Sequence, residues 1–223
     1  DMQPVFSFKL RGAYNKMVGL TRAQLKRGVV AASAGNHAQG VALSAQVLGC
    51  EATIVMPATT PAIKVDAVAK RGATVVLHGD SYDDAYKHGK EIARAEKKTF
   101  VHPYDDPDVI AGQGTVGMEI ASLAPDVVLV PIGGGGLAAG VALALHAQGV
   151  RIVGAQVEHV DAMSRALRGE PEGALPVATL ADGVRVRHPG LLTREILSRL
   201  LDDIVIVREA ELRETLVRLA LEE

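Results

Sequence analysis

The chain has 223 residues, with 24 Lys plus Arg against 26 Asp plus Glu, a single cysteine, no Trp, four Tyr and three Phe. A net charge of −2 leaves no electrostatic footprint for nucleic acid, and so few aromatics leave little for stacking bases, so nucleic-acid binding is argued against. Cys50 alone makes neither an internal disulfide nor a thiolate zinc cluster, which points to a reducing, cytoplasmic compartment.

Residue 1 is Asp, and no basic-then-apolar signal segment precedes Phe6, so either something upstream is removed or the numbering begins inside a longer protein. Short apolar runs rich in β-branched residues predict strands at 29–32, 53–56, 74–77, 127–130, 151–157 and 204–207. Helical periodicity predicts helices at 37–48, 63–71, 82–97, 109–121 and 209–221. Pro61 suits a first helical turn, and Asp80 or Ser81 suits an N-cap. Residues 127–147 lack Asp, Glu, Lys and Arg and pass the length test for a membrane span. Pro131 and Gly133 to Gly136 each penalise a spanning helix by ~1 kcal/mol or more. The stretch is therefore predicted as a strand, a glycine loop and a buried helix from about Leu137, and no membrane partner is expected. Strands alternating with helices, and apolar on both faces, predict an α/β fold with parallel sheets covered by helices.

Three constellations carry chemistry. In Ser7-Phe8-Lys9-Leu10-Arg11-Gly12 a lysine sits between apolar neighbours, and desolvation lowers a lysine pKa as Schiff-base chemistry requires. The same hexapeptide also suits a lysine that snorkels to solvent. In Ser33-Ala34-Gly35-Asn36-His37-Ala38-Gln39-Gly40 a strand enters a small-polar turn and a helix, whose first N–H groups could receive a carboxylate. Ser33 and Asn36 could equally be mere helix caps. In Pro131-Ile132-Gly133-Gly134-Gly135-Gly136-Leu137 four glycines exceed what a turn needs and suit backbone approach to a phosphate. Gly133, Gly135 and Ala138, followed by a strand ending in Glu158, also fit a loose dinucleotide fingerprint, so a nicotinamide-dependent oxidoreductase stays open as an alternative. One phosphate cradle, one carboxylate cradle and a Schiff-base lysine together describe pyridoxal phosphate with an amino-acid substrate.

On these motifs the chain resembles the fold-type II pyridoxal-phosphate enzymes of the serine/threonine dehydratase group, which are tryptophan synthase β-like. The stretch Gln3-Pro4-Val5-Phe6-Ser7-Phe8-Lys9 is most similar to the biosynthetic threonine dehydratases, or threonine ammonia-lyases. The resemblance continues through Ile54-Val55-Met56-Pro57, Lys64-Val65-Asp66-Ala67, Ile110-Ala111-Gly112-Gln113-Gly114-Thr115 and Ala181-Asp182-Gly183-Val184. It implies the cofactor pyridoxal 5'-phosphate and the conversion of L-threonine to 2-oxobutanoate and ammonia, the first step of isoleucine biosynthesis. Serine dehydration or racemisation on the same fold is the alternative. Lys9 would hold the cofactor and, once displaced, shuttle the α-proton. Phe8 would pack near the ring, Asn36 would bond its phenolic oxygen, and Gly183 would lie beside it. Gly133 to Gly136 and Leu137 would receive the phosphate, while Ser33, Ala34, Gly35, Asn36 and His37 would receive the substrate. No metal ligands are named. A homo-oligomer, dimer or tetramer, is implied.

The resemblance further implies a small lobe at residues 21–110, a large lobe combining 1–20 with 111–223, and a cofactor in the cleft. Members of the group carry residues before the lysine motif and a later segment contacting the pyridine nitrogen. The chain is therefore expected to be truncated at both ends and, alone, not to be a competent enzyme. Arg185 departs from the group, in which Ala usually follows the Asp-Gly-Val segment, and puts a long cation where a compact region is expected.

Overall fold

The computed structural model describes residues 2–171 and 178–222. By contacts the chain divides into two compact units, Asp1–Gln113 and Gly114–Glu223.

The first unit is built on a four-stranded parallel sheet. Its strands are β1 (Val29–Ala32), β2 (Ala52–Met56), β3 (Thr74–Leu77) and β4 (Thr99–Phe100), in the order β3-β2-β1-β4. Every residue of β1 and β2 is buried, which is why both read as unbroken apolar runs instead of alternating ones. The helices are α1 (Lys9–Val18), α2 (Arg22–Arg27), α3 (Asn36–Leu48), α4 (Ala62–Ala69) and α5 (Tyr82–Ala95). Thr21 caps α2 and Ser81 caps α5, each within a capping box closed by Gln24 and Asp84 respectively. Helix α5 ends two residues before the predicted limit, and the chain leaves it through Lys97 at φ 55°. Helix α1, which the sequence reading leaves unassigned, packs along α3. A Cβ at Gly40 would lie 3.1 Å from the Leu10 nitrogen, so a side chain there would push the two backbones apart by a few tenths of an ångström. Ala13 and Met17 of α1 join Val41, Ile54 and Met56 in one core. That packing groups the first twenty residues with the first unit, whereas the sequence reading groups them with 111–223.

Helix α6 (Pro107–Ala121) contains the boundary. The second unit has a three-stranded parallel sheet of β5 (Val127–Pro131), β6 (Arg151–Val157) and β7 (Asp203–Val207), with β6 central. Its helices are α7 (Gly136–Leu145), α8 (Ala162–Leu167), α9 (Leu191–Leu200) and α10 (Glu209–Glu222). The uncharged stretch at 127–147 is β5, the glycine loop and α7, followed by the start of a short 3-10 turn (His146–Gln148). Among the described residues no helix is long and apolar enough to cross a membrane. The expected fold class, α/β with parallel sheets and covering helices, is the one observed.

Candidate active site

In the first unit Lys9 opens helix α1. Its Nζ donates to the Pro103 carbonyl at 2.8 Å and stands 5.4 Å from the centroid of the Phe8 ring. Desolvation lowers the amine pKa to about 8. Of the two sequence readings of this lysine, the structure shows the desolvated amine and not the snorkelling one.

The loop Ser33 to His37 connects β1 to α3. The Ser33 hydroxyl accepts from the Gly35 N–H at 3.2 Å, while the N-cap residue of α3, Gly35, has no side-chain cap. Capping therefore does not account for Ser33 and Asn36. Asn36 is exposed on the first helical turn, and the opening N–H groups of α3 have no acceptor within the helix. His37 is buried, 3% exposed, and its Nε2 lies 3.0 Å from the Val101 carbonyl. A carbonyl only accepts, so Nε2 carries the proton and Nδ1 is a buried acceptor without a hydrogen-bond partner among the described residues. Burial first, and then the Lys9 ammonium, push the His37 pKa down to about 3, so the ring is neutral.

Sequence reasoning passed over His102, whose Nδ1 accepts from the backbone N–H groups of Tyr104 at 3.3 Å and Asp105 at 2.7 Å. Burial lowers its pKa to about 4. Neither periodicity nor motif marks this residue; only its place after β4, where the chain turns past Lys9, does so.

In the second unit the ladder continues one bond past β5, Ile132 N–H to the Ala155 carbonyl at 2.9 Å, before the glycines begin. Gly135 takes φ 96°, and a Cβ there would lie 2.7 Å from Met163 Cε and 2.8 Å from Thr193 Cβ. A Cβ at Gly133 would press on Val184 and Val186 at 3.1 to 3.3 Å. The loop is held by Thr193, a residue without a sequence signal, whose hydroxyl donates to the Gly134 carbonyl at 2.7 Å. Helix α7 starts at Gly136, so the N–H groups of Gly136, Leu137 and Ala138 have no acceptor inside the helix. Gly183 lies in a short 3-10 turn (Asp182–Val184), exposed, with open space where a side chain would be. Arg185 is exposed and faces Asp182 at 3.4 Å, so the long cation leaves the turn for solvent. Glu158 accepts the Glu209 N–H at 2.7 Å through one carboxylate oxygen, which engages it at the start of α10.

Each set is tested by itself against the implied cofactor. In the first unit a desolvated lysine amine suits a carbonyl group, and in the second an uncapped helix start behind close-packed glycines suits a phosphate. Fold and residues define the class: the chain belongs to the pyridoxal-phosphate dependent enzyme family, whose model matches residues 1–223. Among curated proteins it is 53% identical over 215 residues to the biosynthetic, chloroplastic threonine dehydratase 1 of Solanum lycopersicum, covering 93% of this chain and 35% of that one. It is 49% identical over 224 residues to the catabolic L-threonine dehydratase of Escherichia coli K12, covering 98% of this chain and 68% of that one. Among solved structures it matches the processed form of threonine deaminase isoform 2 from Solanum lycopersicum. There the TM-score is 0.88 at 46% identity, over 93% of this chain and 62% of that one. The chain thus spans about a third to two thirds of the length of these relatives.

Proposed function

We propose that the protein carrying this chain uses pyridoxal 5'-phosphate to convert L-threonine into 2-oxobutanoate and ammonia. The observation that carries the proposal is the Lys9 amine, held by one neutral carbonyl and lowered to about 8 by burial, in a chain matched throughout by the family model. When bound, the cofactor supplies an electron sink for the negative charge that develops at the substrate α-carbon.

The chain's own residues do the rest. With a pKa of about 8, Lys9 Nζ is partly the free amine near neutrality, the form that captures a carbonyl and later takes the α-proton. Water is lost as the β-hydroxyl leaves and regained at the α-carbon as ammonia departs, so the overall conversion balances. The N–H groups at the start of α7 and the glycines before it bind phosphate, and Thr193 keeps that loop in shape. The Ser33 to His37 loop offers N–H groups to the substrate carboxylate. Exposed Asn36 is free to bond the cofactor's phenolic oxygen, and Phe8 lies against the lysine tail where the ring would stack. Gly183, exposed and without a side chain, would lie beside the cofactor. The two-lobe division at residues 21 and 110, a homo-oligomer and a biosynthetic role belong to the same proposal and are supported by the motif resemblance, although similarity extends to a catabolic relative as well. A cytoplasmic location belongs to it too, supported by the lone cysteine, while a relative is chloroplastic.

The test uses the full-length protein. Keto acid and ammonia should appear from L-threonine, and Lys9→Ala should abolish both the product and the near-visible absorbance. A higher kcat/KM for serine than for threonine, or formation of D-serine, moves the assignment to the serine branch. A colourless protein with unchanged Lys9→Ala turnover overturns it altogether.

A further inference from the structure

After β4 the chain makes a final ladder bond, Val101 N–H to the Val30 carbonyl at 2.8 Å, and then crosses to α6 through His102, Pro103, Tyr104 and Asp105 without regular structure. Side chains take over where backbone pairing stops. His37 Nε2 donates to the Val101 carbonyl at 3.0 Å. His102 Nδ1 accepts the N–H groups of Tyr104 and Asp105, and Asp106 Oδ1 accepts that of Asp108 at 2.9 Å. Between these clamps lies buried Pro103, whose carbonyl receives the Lys9 amine at 2.8 Å.

We infer that His102 is a positioning residue for Lys9: by tying down the Tyr104 and Asp105 N–H groups it fixes the Pro103 carbonyl on which the free amine rests. The inference deepens the proposed catalysis and depends on it for the role of Lys9. Three features support it. The ring is itself fixed, meeting Tyr104 edge-on at 4.7 Å between centroids and Tyr86 at 5.7 Å. It is neutral above about pH 4, so Nδ1 remains an acceptor throughout the working range of an enzyme. The partner it presents is also suited to the task. A carbonyl orients the amine through one hydrogen bond without the negative charge that would hold the proton on it. The neighbouring carboxylate, Asp106, is instead engaged by Lys16 at 3.0 Å.

The test reads the amine and not the reaction. In the full-length protein with its cofactor stripped, competitive acetylation across pH 6 to 11, quantified by mass spectrometry of the Lys9 peptide, gives that amine's titration midpoint. The wild type should titrate near 8. His102→Leu removes the acceptor and frees the turn, admitting water. The midpoint should then rise by about one unit or more, which lowers the reactive fraction at pH 7 about tenfold. His102→Asn places a side-chain oxygen where Nδ1 stands, able to accept the same two N–H groups as an Asx turn, and should restore the midpoint to within about 0.3 units. A role in packing alone predicts that Asn does no better than Leu, because both remove the ring from Tyr86 and Tyr104. A folded Leu variant with an unchanged midpoint, or an Asn variant shifted by a unit, overturns the inference. If the Leu variant does not fold, Asp105→Pro deletes the shorter donated N–H and must raise the midpoint, while the Asn result decides independently. No substrate or cofactor enters the assay, so its failure leaves the threonine reading standing. Conversely, a protein inert toward threonine but with the expected labelling pattern refutes that reading alone.

Discussion

Gly135→Ala isolates what the glycine loop costs and why four glycines stand there. Two penalties act on the folded state. The residue sits at φ 96°, where an L side chain costs ~1–2 kcal/mol, and its new methyl would meet Met163 Cε at 2.7 Å and Thr193 Cβ at 2.8 Å. Thr193 cannot retreat without giving up its hydrogen bond to the Gly134 carbonyl, so the crowding adds ~1–3 kcal/mol of overpacking. Gly149→Ala in the same unit is the control, with φ 69° but nothing within 4 Å of the added Cβ. Backbone strain and the entropy lost by the unfolded chain are common to the two variants and largely cancel in their difference. What remains is crowding, about 1–3 kcal/mol. With a urea slope of about 2 kcal/mol/M, that separates the two unfolding midpoints by about 0.5–1.5 M. Midpoints that coincide within error would show that the loop accommodates a Cβ and that Thr193 and Met163 do not enforce glycine at this position.

Thr193→Val keeps the shape but removes the hydroxyl donor, leaving the buried Gly134 carbonyl only the 3.3 Å bond from the Gly190 N–H. It should cost about 0.5–1.5 kcal/mol in urea unfolding and speed phosphate-group loss in dialysis. Ser81→Ala opens the capping box of α5 and should cost about 1 kcal/mol with turnover unchanged, measured by denaturation and a keto-acid assay. His37 and His102 are held at about 3 and about 4, below the ordinary 6.5, so between those values the unfolded chain binds the extra protons and stability falls as pH drops below 6.5. His37→Gln should flatten that acid limb by up to about 1.4 kcal/mol per pH unit in urea titrations at pH 4 to 6.5. Lys9 carries the corresponding penalty at higher pH: its ammonium is disfavoured in the fold, and the cost is relieved as pH rises from about 8 to 10.5. Lys9→Met should therefore gain on the wild type, by up to about 3 kcal/mol, below pH 8 and lose that pH-dependent part by 10.5.

The legible parts of the fold are those whose pattern is local. Strands β1, β2 and β6 are buried on both faces and appear as apolar runs, and the Ser81 cap is readable because Asp84 follows at the capping-box spacing. Helix α1 is not legible, because its buried positions are Gly12, Ala13 and Met17 among Lys, Arg and Asn. The small residues contribute close approach instead of apolar area. Helix α2 buries nothing fully, and β4 has two residues, so neither leaves a period to detect. The site divides in the same way. Lys9, the Ser33 to His37 loop and the four glycines are marked by local composition. Pro103, 94 positions from the lysine it receives, and Thr193, 59 positions from the carbonyl it holds, are brought in only by the fold.

Helix α1 shows how burial and partner choice, not residue type, shift two lysine amines in opposite directions. Lys9 and Lys16 lie on the same helix two turns apart. Both lose solvation, and their ammonium groups respond in opposite directions. Burial lowers Lys16 too, but its hydrogen bonds to Asp108 and Asp106, at 2.9 and 3.0 Å, outweigh this and raise its pKa. Among the described residues Lys9 meets a carbonyl and no carboxylate, so desolvation acts unopposed and brings it to about 8. An aspartate within reach of Lys9 would add stability and remove the free amine, which is the trade that reactive sites make in general. The turn that keeps the Asp106 carboxylate on Lys16, while turning the Pro103 carbonyl toward Lys9, therefore decides which of two chemically identical side chains can be a nucleophile.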